Sequence, residues 1–121
     1  MSDAVALVQY VVVRGDLQRA LRWTPGAVLA QACHACTAAI HNFYHDPHTQ
    51  QYLQRLDSMH KVVLEVPDEQ SLTSLSQRLS SEQIDHWLWV ERPENVATCL
   101  ALKPCPRERV RGLLRDLKLL R

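Results

Sequence analysis

Glycine is scarce in this chain, with three in 121 residues. None is arranged as a phosphate-binding loop, which excludes the common nucleotide cradles. There is no Gly-x-Ser-x-Gly elbow and no Ser, His and Asp in a nucleophilic-triad order. No apolar run approaches the ~18 residues of a membrane span, so no membrane partner is expected. Met1-Ser2-Asp3-Ala4 lacks the basic region of a secretory signal, and a cytoplasmic protein is the expectation. Only four cysteines occur, Cys33, Cys36, Cys99 and Cys105. In a reducing compartment they read as small buried side chains rather than bridges. Neither an internal repeat nor a low-complexity linker is visible.

What remains is ordinary globular material. Hydrophobic residues make up 46% and charged residues 22%, so disorder is not the expectation. The length suits one domain, residues 1–121, with a core that needs no staples. The formal net charge of +1 hides an asymmetry. Arg107, Arg109, Arg111, Arg115, Lys118 and Arg121 face only Glu108 and Asp116, so this end carries +4 and the rest −3. The end is either a solvated helix face or a surface for phosphates.

Val5 to Val13 is apolar and rich in β-branched residues, as in a central strand buried on both faces. Arg14-Gly15-Asp16 breaks it, and the stretch to Trp23 reads as a loop. Thr24 and Pro25 form an N-cap and first helical residue for a helix to about His45. Asp46-Pro47 ends it, and Pro47 starts a shorter helix through Leu56. His60 to Val66 is a second strand. Asp68 caps a helix with the stripe Leu72, Leu75 and Leu79. Ile84 to Glu91 and Val96 to Leu102 form an antiparallel pair around the turn Arg92-Pro93-Glu94-Asn95. Pro106 caps a last helix with apolar Val110, Leu113, Leu114 and Leu117. The order β-α-α-β-α-β-β-α predicts an α/β fold, a four-stranded mixed sheet with helices on both faces.

The run from Gly26 to Ala35 carries the first candidate site. Gln31 and His34 stand three apart, so they share a helix face otherwise made of Ala, Val and Leu. Ala38, His41 and His45 continue the same stripe. A ligand at this helix start would lie at the C-terminal end of a central strand, the usual place in open α/β sheets. The alternative is a pair of structural hydrogen bonds. Cys33 and Cys36 form a C-x-x-C pair, but zinc would need a second knuckle, and Cys99 and Cys105 are not spaced as one. A redox motif would sit at the helix start rather than about two turns in. Trp87 and Trp89 alternate on the third strand and share a face, either for packing against a helix or for stacking bases. Glu91 closes that strand as a candidate site carboxylate or a solvated end. Thr98 stands beside it across the hairpin, or is an ordinary strand threonine.

Taken together these segments resemble the type-2 peptidyl-tRNA hydrolases of archaea and eukaryotes. The first strand with Arg14 and Asp16-Leu17 resembles that family's opening strand and Arg-x-Asp-Leu. Ala30-Gln31-Ala32-Cys33-His34-Ala35 is similar to its Ala-Gln-Cys-x-His-Ala signature. Lys61 to Pro67, Thr98 to Pro104 and Leu117-Lys118-Leu119 resemble its later strands and its ending. The Pro-Glu-Asn turn is most similar to the divergent eukaryotic branch of peptidyl-tRNA hydrolase domain-containing proteins.

The resemblance implies hydrolysis of the ester joining a peptide to the 3′ ribose of tRNA. It implies a water positioned by His34 or Glu91, and hydrogen bonds from Gln31 and Thr98 to the ester region. Arg14, Asp16, Arg22 and Asn95 are expected to bind substrate, with the basic segments on phosphates. No cofactor and no metal are implied, and a homodimer is. The chain also departs from the family. The family's Gly-Lys before the helix is Gly26-Ala27, a second nearby Lys is Pro25, and its Asp is Glu91. Its loop after that Asp is shortened to Arg92-Pro93-Glu94-Asn95. Extra residues between Leu17 and Trp23 bring Arg19 and Arg22, and a guanidinium can supply charge but cannot act as a base at neutral pH. The competing expectation is a weak or inactive tRNA-binding or adaptor protein that keeps the hydrolase fold.

Overall fold

The β-branched run at the N-terminus becomes the middle of the sheet. A computed structural model describes residues 6–121. Val5, where the first strand was expected to start, and the Met1–Ala4 stretch lie outside the described residues. Strand β1 (Leu7–Arg14) is followed by a single helical turn, α1 (Asp16–Arg19), and by α2 (Pro25–Asn42) and α3 (Pro47–Leu53). A tight turn at Leu56–Ser58 leads into β2 (Lys61–Val66), α4 (Glu69–Ser81), β3 (His86–Glu91) and β4 (Val96–Leu102). The chain closes with β5 (Cys105–Pro106), α5 (Arg107–Leu114) and β6 (Lys118–Leu119).

The sheet runs β3-β4-β1-β2-β6, with β5 also on β1. β1 pairs parallel to β2, Val12 opposite Leu64, and antiparallel to β4, Val12 opposite Leu100. The sheet therefore has six strands rather than the expected four. The two missed strands are two residues each, too short to show a period of two. β5 continues the β4 side of β1: Lys103-Pro104 interrupts the ladder, since proline has no N–H to give, and pairing resumes at Leu7 and Val8. β6 lies antiparallel on the far side of β2, through Leu64 and Glu65.

The expected loop before Trp23 contains α1. One turn has no room for an apolar period, and Leu17, fully buried, anchors it. Thr24 caps α2 by accepting from the Ala27 N–H, and Asp68 caps α4 by accepting from the Ser71 N–H. α2 stops at Asn42 and α3 at Leu53, each three residues before its expected end.

Alternation along β1 and β4 divides the core between two faces. On one face Val11, Val13, Cys99 and Ala101 meet Leu17 and the Val28, Ala35 and Ala39 of α2. On the other, Val8, Tyr10, Val12, Leu64, Leu100 and Leu102 meet Leu72, Leu75 and Leu79 of α4 and Val110 and Leu114 of α5. Helices thus cover both faces, as expected. Leu117 lies past the end of α5 yet packs on the same leucine-rich cluster. Among the described residues no helix is long and apolar enough to cross a membrane.

Candidate active site

The small side chains of α2 let it lie close to β3 and β4, and this brings a polar line down onto the hairpin. Gln31 is 5% exposed and Thr98, on β4, is fully enclosed. The Thr98 hydroxyl donates to Gln31 Oε1 at 2.7 Å. The neighbouring Cys99 Sγ lies 3.1 Å from the Gln31 backbone oxygen. Thr98 therefore fixes which way the Gln31 amide points: its oxygen faces β4 and its N–H groups turn toward Glu91.

Glu91 ends β3 and is half-buried. Its carboxylate accepts from the Trp89 indole Nε1–H at 3.0 Å. That hydrogen bond, followed by one from Gln31, holds the Glu91 carboxyl below its ordinary value of 4.5, so it is ionised at neutral pH. His34 is exposed and stacks on the Trp89 ring, with centroids 4.6 Å apart and planes at 19°. The structure thus brings His34, Gln31, Glu91 and Thr98 into one connected group, with Trp89 joining its exposed and enclosed halves.

Sequence reasoning placed Trp89 only as packing or base stacking. The signal for its link to Glu91 was present, because residues two apart on a strand share a face. Trp87, on the same face, is 37% exposed and takes no part in the group. The expected stripe runs on to His41, which is still within α2 and exposed at the edge of a groove, but His45 lies past the helix end, edge-on to Tyr44.

Arg14 and Asp16 are brought together, but with each other. Arg14 Nε and Nη2 donate to the two Asp16 oxygens at 3.0 and 2.9 Å, a bidentate pair. Arg14 Nη1 donates to the Ala97 carbonyl at 3.0 Å, and Glu69 Oε1 lies 3.8 Å away. Glu69 Oε2 accepts from the Ala97 N–H at 2.9 Å. This buried clamp ties the end of β1 to the start of β4, one residue before Thr98.

Arg22 and Asn95 both lie in the left-handed backbone region, each at φ 62°. Arg22 is exposed, and among the described residues its side chain has no hydrogen-bond or ion-pair partner. A non-glycine residue there costs about 1 kcal/mol. The Asn95 N–H donates to the Glu91 carbonyl at 2.7 Å, and its side-chain oxygen accepts from Arg92. Asn95 thus braces the turn directly behind Glu91.

The four cysteines are unbridged, and Cys33 is exposed rather than buried as expected. It sits on the flank of α2 that borders a groove, where no layer covers it. Burial pushes the Cys99 thiol up to about 12 and the Cys105 thiol up to about 11, so neither is a thiolate at neutral pH. Among the described residues no three His, Cys, Asp or Glu side chains gather in a way that would hold a metal ion.

Comparison with known proteins gives one family, described as "Peptidyl-tRNA hydrolase PTH2", which matches residues 7–120. The human protein named "Putative peptidyl-tRNA hydrolase PTRHD1" is 53% identical over 119 residues, covering 98% of this chain and 85% of the human one. The mouse protein of the same name is 52% identical over 114 residues, covering 93% and 81%. The chain belongs to the peptidyl-tRNA hydrolase PTH2 family.

Proposed function

We propose that this chain is a peptidyl-tRNA hydrolase, cleaving the ester between a peptide, or an N-acyl-aminoacyl group, and the 3′ end of tRNA. Family membership supports the reaction class. The observation that carries the site is the connected line from Thr98 through Gln31 and Glu91 to Trp89 and His34.

In this reading His34 takes a proton from water, and the oxygen of that water attacks the ester carbonyl carbon. Glu91, kept ionised, stabilises the imidazolium that forms and is too weak a base for the task itself. A Gln31 amide N–H donates to the carbonyl oxygen as it gains charge. The ester C–O bond then breaks, and the ribose oxygen leaves with the proton held by His34. The products are a tRNA with a free ribose hydroxyl and a peptide carboxylic acid, which gives up its proton to water. Thr98, enclosed and bonded to Gln31, acts as a positioning residue. Arg14 and Asp16 hold the strand ends that carry the site, Asn95 braces the Glu91 turn, and the unpaired Arg22 offers charge to the tRNA phosphates.

One observation favours binding without turnover: Ala27 presents a methyl group in the first turn of α2, where the resemblance implies an ammonium. Incubation of the purified protein with an N-acyl-aminoacyl-tRNA separates the two readings. Ester cleavage supports the hydrolase. Salt-sensitive tRNA binding with no cleavage supports the binding protein.

The same reading takes residues 1–121 as one domain, acting without cofactor in the cytoplasm, where four free thiols persist. It also includes a homodimer. A groove of about 610 Å³ beside α2, with Leu29, Ile40, Tyr44, Leu53, Met59 and Val63 in its wall, offers apolar surface that a second copy would cover. Sedimentation equilibrium checks this, and a monomer at high concentration removes it.

A further inference from the structure

The face of the sheet opposite His34 carries a second concentration of charge. Arg107, Arg111 and Arg115 recur every four residues along α5 and its end, so they stand in one row. They border a depression of about 340 Å³ whose remaining wall is Tyr10, Val62, Leu64 and neighbouring leucines. Among the described residues no carboxylate lines it.

The contacts these arginines do make leave their charge largely uncompensated. Among the described residues Arg107 reaches the Tyr10 hydroxyl and His60 Nδ1, each at 3.4 Å, and no carboxylate. Arg111 pairs with Glu108 at 3.1 Å, but both side chains are mostly in water, where such a pair is weak and easily exchanged. Arg115 has no ion pair among the described residues, and neither has the adjacent Asp116. Lys118 and Arg121 extend the positive field beyond the helix.

Eight residues of helix span about 12 Å. A row of that length suits an extended polyanion better than a single small anion. Planar guanidiniums also match phosphate oxygens in pairs. We infer that the Arg107–Arg111–Arg115 row is a second RNA contact, which grips tRNA phosphates on the sheet face away from the hydrolytic group. The inference rests on the proposed tRNA substrate and adds to it where the RNA is held.

The test uses the intact protein and a labelled, deacylated tRNA, so no chemistry is needed. Affinity is measured by anisotropy from 50 to 200 mM salt. Each lost phosphate contact lowers the slope of log K against log salt by about 0.7 to 0.9. Arg111→Gln with Arg115→Gln should lower it by roughly 1.5 and weaken binding by about tenfold at low salt. Arg111→Lys with Arg115→Lys should keep the slope near that of the unaltered protein. The charge-matched control Arg55→Gln with Arg78→Gln, both exposed and outside the wall of the depression, should leave it unchanged. With N-acyl-aminoacyl-tRNA the glutamine pair should raise KM and leave kcat in place.

An unchanged slope in the glutamine pair overturns the inference. An equal loss in the control also overturns it, since general charge then suffices. So does binding to anionic lipid vesicles that depends on the row while tRNA binding does not. If the unaltered protein cleaves the ester but the glutamine pair matches it in slope and KM, the inference fails and the hydrolase reading stands. If the unaltered protein binds no tRNA but cleaves the ester, the inference alone fails; if it does neither, both fail.

Discussion

The two faces of this sheet are packed with different materials, and the difference sets the candidate site apart from the larger core. Under α4 and α5 the core is Leu72, Leu75, Leu79, Leu100, Leu102 and Leu114, with Val8, Val12 and Val110. Under α2 it is built from Ala35, Ala39, Ala101 and Cys99, with Val11, Val13, Leu17 and Val28. Large aliphatic side chains bury more area each, roughly 25 cal/mol per Å². Small ones bury less but let a helix come close, so that Gln31 can reach Thr98 at 2.7 Å across the interface. The leucine face holds the fold, and the alanine face gives up some burial to carry a polar group.

The comparison can be broken at several points. The largest effect is expected on the alanine face and in rate. Glu91→Gln should lower ester turnover by about 10²- to 10⁴-fold while leaving the thermal midpoint nearly in place, as expected when a charge that stabilises a proton-transfer partner is lost. A variant that loses stability instead would make Glu91 structural. The leucine face should answer in the opposite way. Leu72→Ala, at a fully buried position, should cost about 2–5 kcal/mol in urea unfolding, with turnover per folded molecule retained.

Thr98→Val tests the seam between the two behaviours. It leaves the buried Gln31 oxygen without its donor, which costs about 1–3 kcal/mol, and it frees the amide to turn. Both the unfolding midpoint and kcat should fall, with KM little changed. If only stability falls, Thr98 does not orient Gln31 for chemistry. Thr24→Ala removes an exposed cap on α2 and should cost about 1 kcal/mol without altering KM.

The smallest effect is in pH. The Glu91 carboxyl is lowered by its Trp89 bond, so its contribution to stability is present above its unfolded value of about 4.5 and is lost as pH falls through the lower folded value. Glu91→Gln should flatten only that acid limb of the stability curve. Trp89→Phe, which keeps the ring for His34 but removes the indole N–H, should return the limb toward the ordinary range.

Local features of the sequence were the legible ones. Alternation and turn chemistry placed β4 to the residue, and Thr24 and Asp68 were readable as caps because capping is a matter of adjacent residues. The three-residue spacing of Gln31 and His34 pointed to the candidate site's place on α2. What could not be read depends on distance or brevity. The Arg14 bond to the Ala97 carbonyl spans 83 residues and leaves no pattern in the chain. β5, β6 and α1 are too short for a period to show. The stripe failed at His45 because α2 unwinds at Phe43, where the chain turns toward Pro47 and the Asp46 cap of α3. Trp89 packs against the cluster under α2 as expected, and alternation alone did not show that its indole N–H also supports a carboxylate and its ring an imidazole.

The central claim is that the group under α2 breaks the ester of peptidyl-tRNA. Single-turnover cleavage of N-acyl-aminoacyl-tRNA, measured for the unaltered protein and for His34→Ala at equal folded fraction, tests it most directly. The account predicts cleavage by the unaltered protein and a loss of about 10²-fold or more in the variant. Cleavage that is equally fast in both, or absent in both while tRNA still binds, would contradict it.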